Sequence, residues 1–255
     1  MHRSAKLFPE IITMVKVFSF CLYGPPNPRY YPIPMIQNIE LIQKHFPGWK
    51  VYLYVSPDVD SEFLKTTEQY PNVVLKPTGK LGTINRLERL FAIDEPEVET
   101  MFVRDADSRV HWKDRWAIND FLSKPQFIGH VIRDHKEHGA SILAGLWGIH
   151  KIPEVNIRDL FQSFLNNPID LGFGKDGVDQ SFLGLYLYNR IKSRLLVHYS
   201  NNMALNGEHV VQFPFPYTER FHCGKVEDSS FVDRDVSNTV RSGRKVIVEG
   251  RFKLT

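Results

Sequence analysis

A chain of 255 residues that is 42% hydrophobic and 24% charged can bury one large core but is short for two full domains. Its net charge of +3 is too small to argue for a nucleic-acid binder, although it suits a substrate carrying phosphate. Two cysteines, Cys21 and Cys223, exclude a disulfide scaffold and suit a reducing compartment, so a cytoplasmic protein is expected.

Residues 1–13 lack periodicity and read as an N-terminal extension, with Met14 an alternative start. The apolar stretch from Ile11 to Tyr23 is interrupted by Lys16 and is followed by no small-residue cleavage site. It reads as a first strand, Val15 to Tyr23, and not as a signal peptide. No run approaches the roughly 20 apolar residues of a membrane helix, so a soluble chain is expected. Gly24-Pro25-Pro26-Asn27-Pro28 then forms a turn-rich loop at the expected ligand edge of a sheet. Met35, Ile39, Ile42 and Phe46 recur at helical spacing between Pro34 and the stop Pro47-Gly48. Val51 to Val55 predicts a second strand, Ser61 to Gln69 a helix, and Val73 to Leu75 a third strand. Ile84, Leu87 and Phe91 predict the buried stripe of another helix. The alternation implies right-handed βαβ crossovers and an α/β fold: a doubly wound, mostly parallel sheet flanked by helices, in one Rossmann-like domain over residues 14–235.

The fourth strand, Met101 to Arg104, is an unbroken apolar run that ends abruptly in charge. In an extended backbone, side chains two apart share a face, so Asp105 and Asp107 converge while Ala106 turns away. They would sit beyond the carboxyl end of a strand, where open α/β sheets bind ligands. Hard carboxylate oxygens there suit Mg²⁺ or Mn²⁺, with phosphate oxygens and water filling the remaining positions. Acidic residues after a strand also cap helices and form turns, and it is the surrounding motifs that favour function. Arg89 and Arg104 either add positive charge near a phosphate or pair with these carboxylates.

Further on, Trp112 to Leu122 predicts a helix and Phe127 to Ile132 a strand. His135 and His138 are three apart but lack further ligands for a tetrahedral zinc set, so their loop is expected to line a polar pocket. Gly145 and Gly148 flank Trp147 within the strand Leu143 to His150, which implies close approach to the backbone, by a sugar ring or by tight core packing. Ile157, Leu160, Phe161 and Phe164 mark a helix, and Leu171 to Gly174 a flexible loop. A helix starting near Gly177 has Asp176 able to cap it and Asp179 in its first turn. Short strands follow at Leu195 to Tyr199 and Glu208 to Phe213, and residues 236–255 form a basic tail or a final hairpin.

Phe102-Val103-Arg104-Asp105-Ala106-Asp107-Ser108-Arg109, then Ile132-Arg133-Asp134-His135, then Gly145-Leu146-Trp147-Gly148 resemble, in order and spacing, a group of nucleotide-sugar glycosyltransferases of the GT-A fold found among large DNA viruses and bacteria. Val17 to Gly24 and Asp179-Gln180 also match, so the resemblance covers residues 15 to 225. It implies a GT-A-type mixed sheet. It also implies that the loop after the first strand, with Ser19, Cys21, Leu22 and Tyr23, holds the uracil and ribose of a UDP-sugar. Asp105 and Asp107 would then hold Mn²⁺ or Mg²⁺ against the pyrophosphate, with Arg89, Arg104 and Ala106 also on the donor. Asp179-Gln180 is similar to the pair near the sugar carbon in the glycogenin-like and bacterial galactosyl retaining transferases, and Asp134 joins them as a catalytic candidate. His222-x-Gly224-Lys225 is similar to the family's His-x-Gly-x-x-Lys motif at shorter spacing, which makes His222 a third metal ligand and Lys225 a phosphate contact.

Cleaving the bond from sugar to phosphate expels a nucleoside diphosphate, whose growing negative charge must be neutralised in the site. The expected function is a metal-dependent glycosyltransferase acting from a UDP-sugar on a hydroxyl of a glycan, glycolipid or protein. No carboxylate stands out as a general base, which favours retention with the leaving phosphate taking the acceptor proton. A sugar-nucleotide pyrophosphorylase would show a Gly-rich phosphate loop after the first strand, and Gly24-Pro25-Pro26 is a poor version of one. A carbohydrate-binding domain without turnover is the third reading. Neither a nucleic-acid partner nor a membrane span is expected, and for a viral protein the compartment would be the host cytoplasm.

Overall fold

The structure is a computed structural model and describes residues 12–166, 177–200, 204–205, 207–227 and 231–233, with the backbone of 246–248 and 251–253. Most of the expected N-terminal extension, the cap Asp176, the loop Leu171 to Gly174 and most of the basic tail lie outside the described residues.

Eight strands form one sheet: β1 (Val15–Leu22), β2 (Lys50–Val55), β3 (Val73–Pro77), β4 (Val98–Arg104), β5 (Gly129–Arg133), β6 (Leu146–His150), β7 (Leu195–Tyr199) and β8 (His209–Gln212). Their order is β3-β2-β1-β4-β6-β5-β7-β8. All neighbours pair in parallel except β6, which runs antiparallel to both β4 and β5. The carboxyl ends of β1, β2, β4 and β5 therefore share one edge with the start of β6. This is the mixed, mostly parallel sheet that the alternation of elements predicts.

Both faces of the sheet are covered, and β1 shows why its sequence is mainly apolar on both faces. Val17 and Cys21 pack toward a 3₁₀ helix (Gly82–Asp94) and the helices α4 (Ile157–Leu165) and α5 (Val178–Phe182). Phe18, Phe20 and Leu22 pack toward α1 (Ile33–His45), α2 (Ser61–Thr67) and α3 (Trp112–Leu122). Local signals set the ends of these helices: Asp60 accepts from the Phe63 N–H, Asn156 accepts from the Asp159 N–H, and His111 with Asp114 forms a reciprocal capping box on α3. After β8, Val246–Val248 (β9) pairs antiparallel with Arg251–Lys253 (β10), a hairpin. Among the described residues no helix is long and apolar enough to cross a membrane.

The segment Gly82–Asp94 departs from the expected helix. It is 3₁₀, its buried positions include Asn85, Glu88 and Arg89, and Ile84 is exposed. A 3₁₀ turn repeats every three residues, so Asn85 with Glu88, and Arg86 with Arg89, align along its faces.

β6 also settles the two glycines. It begins at Leu146, leaving Gly145 in the preceding loop, and it pairs Gly148 directly opposite Phe102. A Cβ on Gly148 would overlap the Phe102 ring and come within 2.8 Å of the Met101 carbonyl oxygen. Gly148 therefore serves tight core packing around a wholly buried Trp147. Because the obstacle includes backbone, Gly148→Ala should cost about 1–3 kcal/mol of stability, read as a lower urea midpoint, and an unchanged midpoint would refute the packing role.

Candidate functional site

At the shared edge, two cavities adjoin. The first, of about 470 Å³, lies between the loop after β1, including Tyr23, Pro25 and Tyr30, and the turn that carries Asp105, Ala106 and Asp107. The second, of about 310 Å³, lies between Gly145 and Leu146, the start of α5 at Asp179 and Gln180, and Gly224 of the C-terminal segment. Asp105, Arg86 and Arg89 border both.

The two aspartates reach this place by a route other than strand alternation. β4 stops at Arg104, and residues 105–107 form a turn closed by the Ser108 N–H to the Asp105 carbonyl at 3.3 Å. The turn, and not an extended backbone, brings both carboxylates to one cavity. The Asp105 side chain is 48% exposed and that of Asp107 11%. Burial, reinforced by the nearby Asp105, raises the Asp107 carboxyl above its usual value.

Each carboxylate has an arginine. Arg29, from the loop after β1, donates through Nε to Asp107 Oδ2 at 2.7 Å. Arg89 donates to Asp105 and to the Arg104 carbonyl, and its other terminal nitrogen lies 3.6 Å from Asp179. Burial opposes the Arg89 charge, but Asp105 and Asp179 more than offset it and its pKa is raised. Arg86 adds Nε at 3.3 Å from Asp179.

Gly145 fits this cluster closely. A Cβ there would overlap the Asp105 carboxylate, so only glycine leaves that side chain its position. The close approach read from the sequence at this glycine is made by the protein's own carboxylate.

The predicted site residues divide clearly. Cys21, Leu22, Tyr23, Arg89, Asp105, Ala106 and Asp107 line the first cavity, and Asp179 and Gln180 line the second. The Gln180 amide is engaged with the adjoining loop, donating to the Ile142 carbonyl and accepting from the Ala144 N–H at 3.2 Å. Burial pushes the Cys21 thiol up to about 11, so it lines the cavity as a neutral group.

Five candidates lie elsewhere. Ser19 is wholly buried and donates to the Arg89 carbonyl at 2.7 Å, supporting the 3₁₀ helix. Arg104 is buried against Asp114, with Nε to Oδ1 at 3.0 Å, the structural pairing in place of the phosphate contact. Lys225 pairs with Glu227 at 2.8 Å and lines neither cavity. His222 stacks on His135 with ring centroids 4.2 Å apart, and Asp105, Asp107 and His222 do not form one metal-sized group.

Asp134 is wholly buried and fully engaged: by Lys113 Nζ at 2.6 Å, the Ser200 hydroxyl at 2.6 Å and the Cys223 N–H at 2.8 Å. A carboxylate so enclosed has no route to an acceptor proton.

Sequence reading missed Arg29, Arg86 and the reason for Gly145. Arg86 becomes visible only when the segment is read with a period of three. Arg29 depends on the path of an irregular loop and leaves no pattern.

No protein-family model matches the chain, and no curated protein matches it. Among solved structures, the chain is similar to a glycosyltransferase involved in glycosylation of the major capsid of PBCV-1, at 18% identity over 73% of this chain and 81% of that one, with a TM-score of 0.45. It is also similar to the 4-diphosphocytidyl-2C-methyl-D-erythritol synthase of Anaerococcus prevotii, at 11% identity over 76% and 89%, with a TM-score of 0.49. A third is the glucosyl-3-phosphoglycerate synthase of Mycobacterium tuberculosis, at 12% identity over 72% and 69%, with a TM-score of 0.45.

The placement of Asp134 makes its own prediction. Removing one partner of a buried ion pair strands the other charge, here Lys113, so Asp134→Ala should lose about 3–5 kcal/mol of stability. Urea unfolding measures this, and a variant with an unchanged midpoint but no turnover would restore Asp134 as a catalytic group.

Proposed function

We propose that the chain is a divalent-cation-dependent glycosyltransferase that moves a sugar from a UDP-sugar to a hydroxyl of a glycan, glycolipid or protein. The observation that carries this reading is the junction at Asp105: one cavity on either side, with Arg86 and Arg89 bordering both. Such a junction suits a substrate whose anionic centre lies between a flat base and a sugar. The base and ribose would occupy the first cavity, against Tyr23, Tyr30 and the proline-rich turn, and the sugar would occupy the second, beside Asp179.

The residues fit a hard cation. Asp105 is open to the cavity and Asp107 carries a carboxyl that burial alone disfavours as a bare anion. Gly145 leaves the room the Asp105 carboxylate needs. Asp105 and Asp107 would hold Mn²⁺ or Mg²⁺, which when bound neutralises charge on the departing diphosphate.

The chain's own groups do the rest. Arg86 and Arg89 keep fixed positive charge where the diphosphate gains negative charge, and neither must reorganise for it. Asp179, 3.3 and 3.6 Å from these two guanidiniums, is placed to stabilise positive charge at the sugar carbon. With Asp134 enclosed, no carboxylate other than Asp105 and Asp179 borders the second cavity among the described residues. That supports a retaining transfer in which the diphosphate oxygen accepts the acceptor's proton. The two free, buried cysteines suit a cytoplasmic setting.

Incubation with UDP-sugars and Mn²⁺, followed by assay of free UDP, tests the activity. Asp105→Ala and Asp107→Ala should each lower cation-dependent UDP release by at least about a hundredfold while far-ultraviolet circular dichroism stays unchanged. Near-normal turnover in either variant across a Mn²⁺ titration would remove the cation assignment, and release of pyrophosphate in place of UDP would favour a pyrophosphorylase. For the stereochemistry, NMR of the product should show the donor's anomeric configuration. An inverted linkage would overturn retention and require a carboxylate base.

A further inference from the structure

The β5–β6 loop and the C-terminal segment, distant in sequence, bring three imidazoles together. His135 and His222 stack with centroids 4.2 Å apart at 25°, and His138 stands edge-on to His222 at 5.6 Å and 74°. One ligand atom from each lies within 4.8 Å of the others. We propose that His135, His138 and His222 form a transition-metal site of the Zn²⁺ class, separate from the aspartate pair.

His222 carries the argument furthest. It is 8% exposed, one ring N–H faces the Glu219 carbonyl, and Nδ1 is buried without a hydrogen-bond partner among the described residues. A buried lone pair with no donor is costly, and metal-bound histidines commonly donate their second N–H to a backbone carbonyl. His222 thus has a backbone carbonyl beside one ring nitrogen and a bare nitrogen for the ion.

The other two rings are held near it by backbone. His138 Nδ1 accepts the Asp134 N–H at 3.1 Å and His135 Nδ1 accepts the Glu137 N–H at 3.3 Å. Coordination through Nε2 would move one proton to Nδ1 in each ring and give up these two long bonds in exchange for coordination bonds. Tetrahedral ligands with bonds near 2.0 Å lie ~3.3 Å apart, so the rings must close by roughly an ångström or more. Both are only partly buried, and His138 borders the second cavity, which leaves them room to turn. Three protein nitrogens leave a fourth position for water or substrate on that side.

A neighbouring cluster shows what a satisfied group looks like. His111, Asp114 and Cys223 are as close together and fully buried, yet His111 accepts the Lys113 N–H, and Asp114 already binds Arg104. The cluster's imidazole and carboxylate are already engaged by the protein.

The full chain, stripped with a chelator, should take up about one Co²⁺ with the intense visible bands of a tetrahedral nitrogen site. Zn²⁺ should displace it and raise the melting temperature. His135→Ala and His138→Ala, on an exposed loop, should each abolish the bands while folding normally, whereas the Asp105→Ala/Asp107→Ala double variant should keep them. Absence of the bands in the wild-type chain, their retention in both histidine variants, or their loss with the aspartates would each overturn the site. The readout uses no sugar nucleotide, so it stands or falls apart from the transferase reading.

Discussion

The buried Asp134 carboxylate is the contact on which the site's architecture depends. It sits at the carboxyl end of β5 and receives Lys113 from α3, Ser200 from the end of β7 and the Cys223 N–H from the C-terminal segment. Four parts of the chain thus meet on one side chain. A buried ion pair contributes little net stability, because desolvation offsets attraction, but it penalises every arrangement in which one partner goes unpaired. It fixes where the last segment runs: past Leu146, with Gly224 against that side chain at positive φ, and on to the Glu227 N–H on the Asp107 carbonyl at 2.9 Å. The same segment thereby touches the aspartate turn and carries His222 to His135.

The antiparallel β6 is the second constraint. A wholly parallel sheet would place a strand's carboxyl end and its crossover at this point on the edge. Reversing β6 puts a strand's beginning there instead, so the loop before it reaches this edge, and Leu143, Ala144 and Gly145 line the second cavity. Gln180 ties that loop to α5 and Gly145 lets Asp105 lie against it. Asp105, Arg86 and Arg89 border both cavities, and the reversed strand brings in the loop that walls the second.

Much of this was legible in the sequence, for physical reasons. Strands buried on both faces must be continuously apolar, so β1 and β4 stand out, and helices with clear stops, such as α1, announce their ends. The ends of α3 and β7 coincide with the expected Trp112 to Leu122 and Leu195 to Tyr199. The acidic pair was legible because charge so abruptly follows an apolar strand, although the geometry invoked for it was that of a strand and the structure uses a turn. What could not be read depends on tertiary partners. Arg104 and Arg89 look alike in sequence, but one meets Asp114 on the far side and the other meets Asp105 at the cavity. His222 was assigned toward the aspartates because a motif carries no direction, whereas its ring stacks on one 87 positions earlier in the chain, since 222 − 135 = 87.

The two arginines on the aspartate pair differ in a way that bears on the proposed chemistry. Arg89 is 3% exposed and hydrogen-bonded to the Arg104 carbonyl, so it is held in place, and under the proposed reading Asp105 would serve it and a cation together. Arg29 is 54% exposed on a surface loop, while its partner Asp107 is only 11% exposed. Under the proposed cation reading, Arg29 would yield its place at Asp107 to the ion more readily than the buried Arg89 would yield at Asp105. Without the ion, Asp107 is a largely buried carboxylate that needs some cation beside it. Arg29 meets that need from an exposed loop, whereas Arg89 meets Asp105 from within the core.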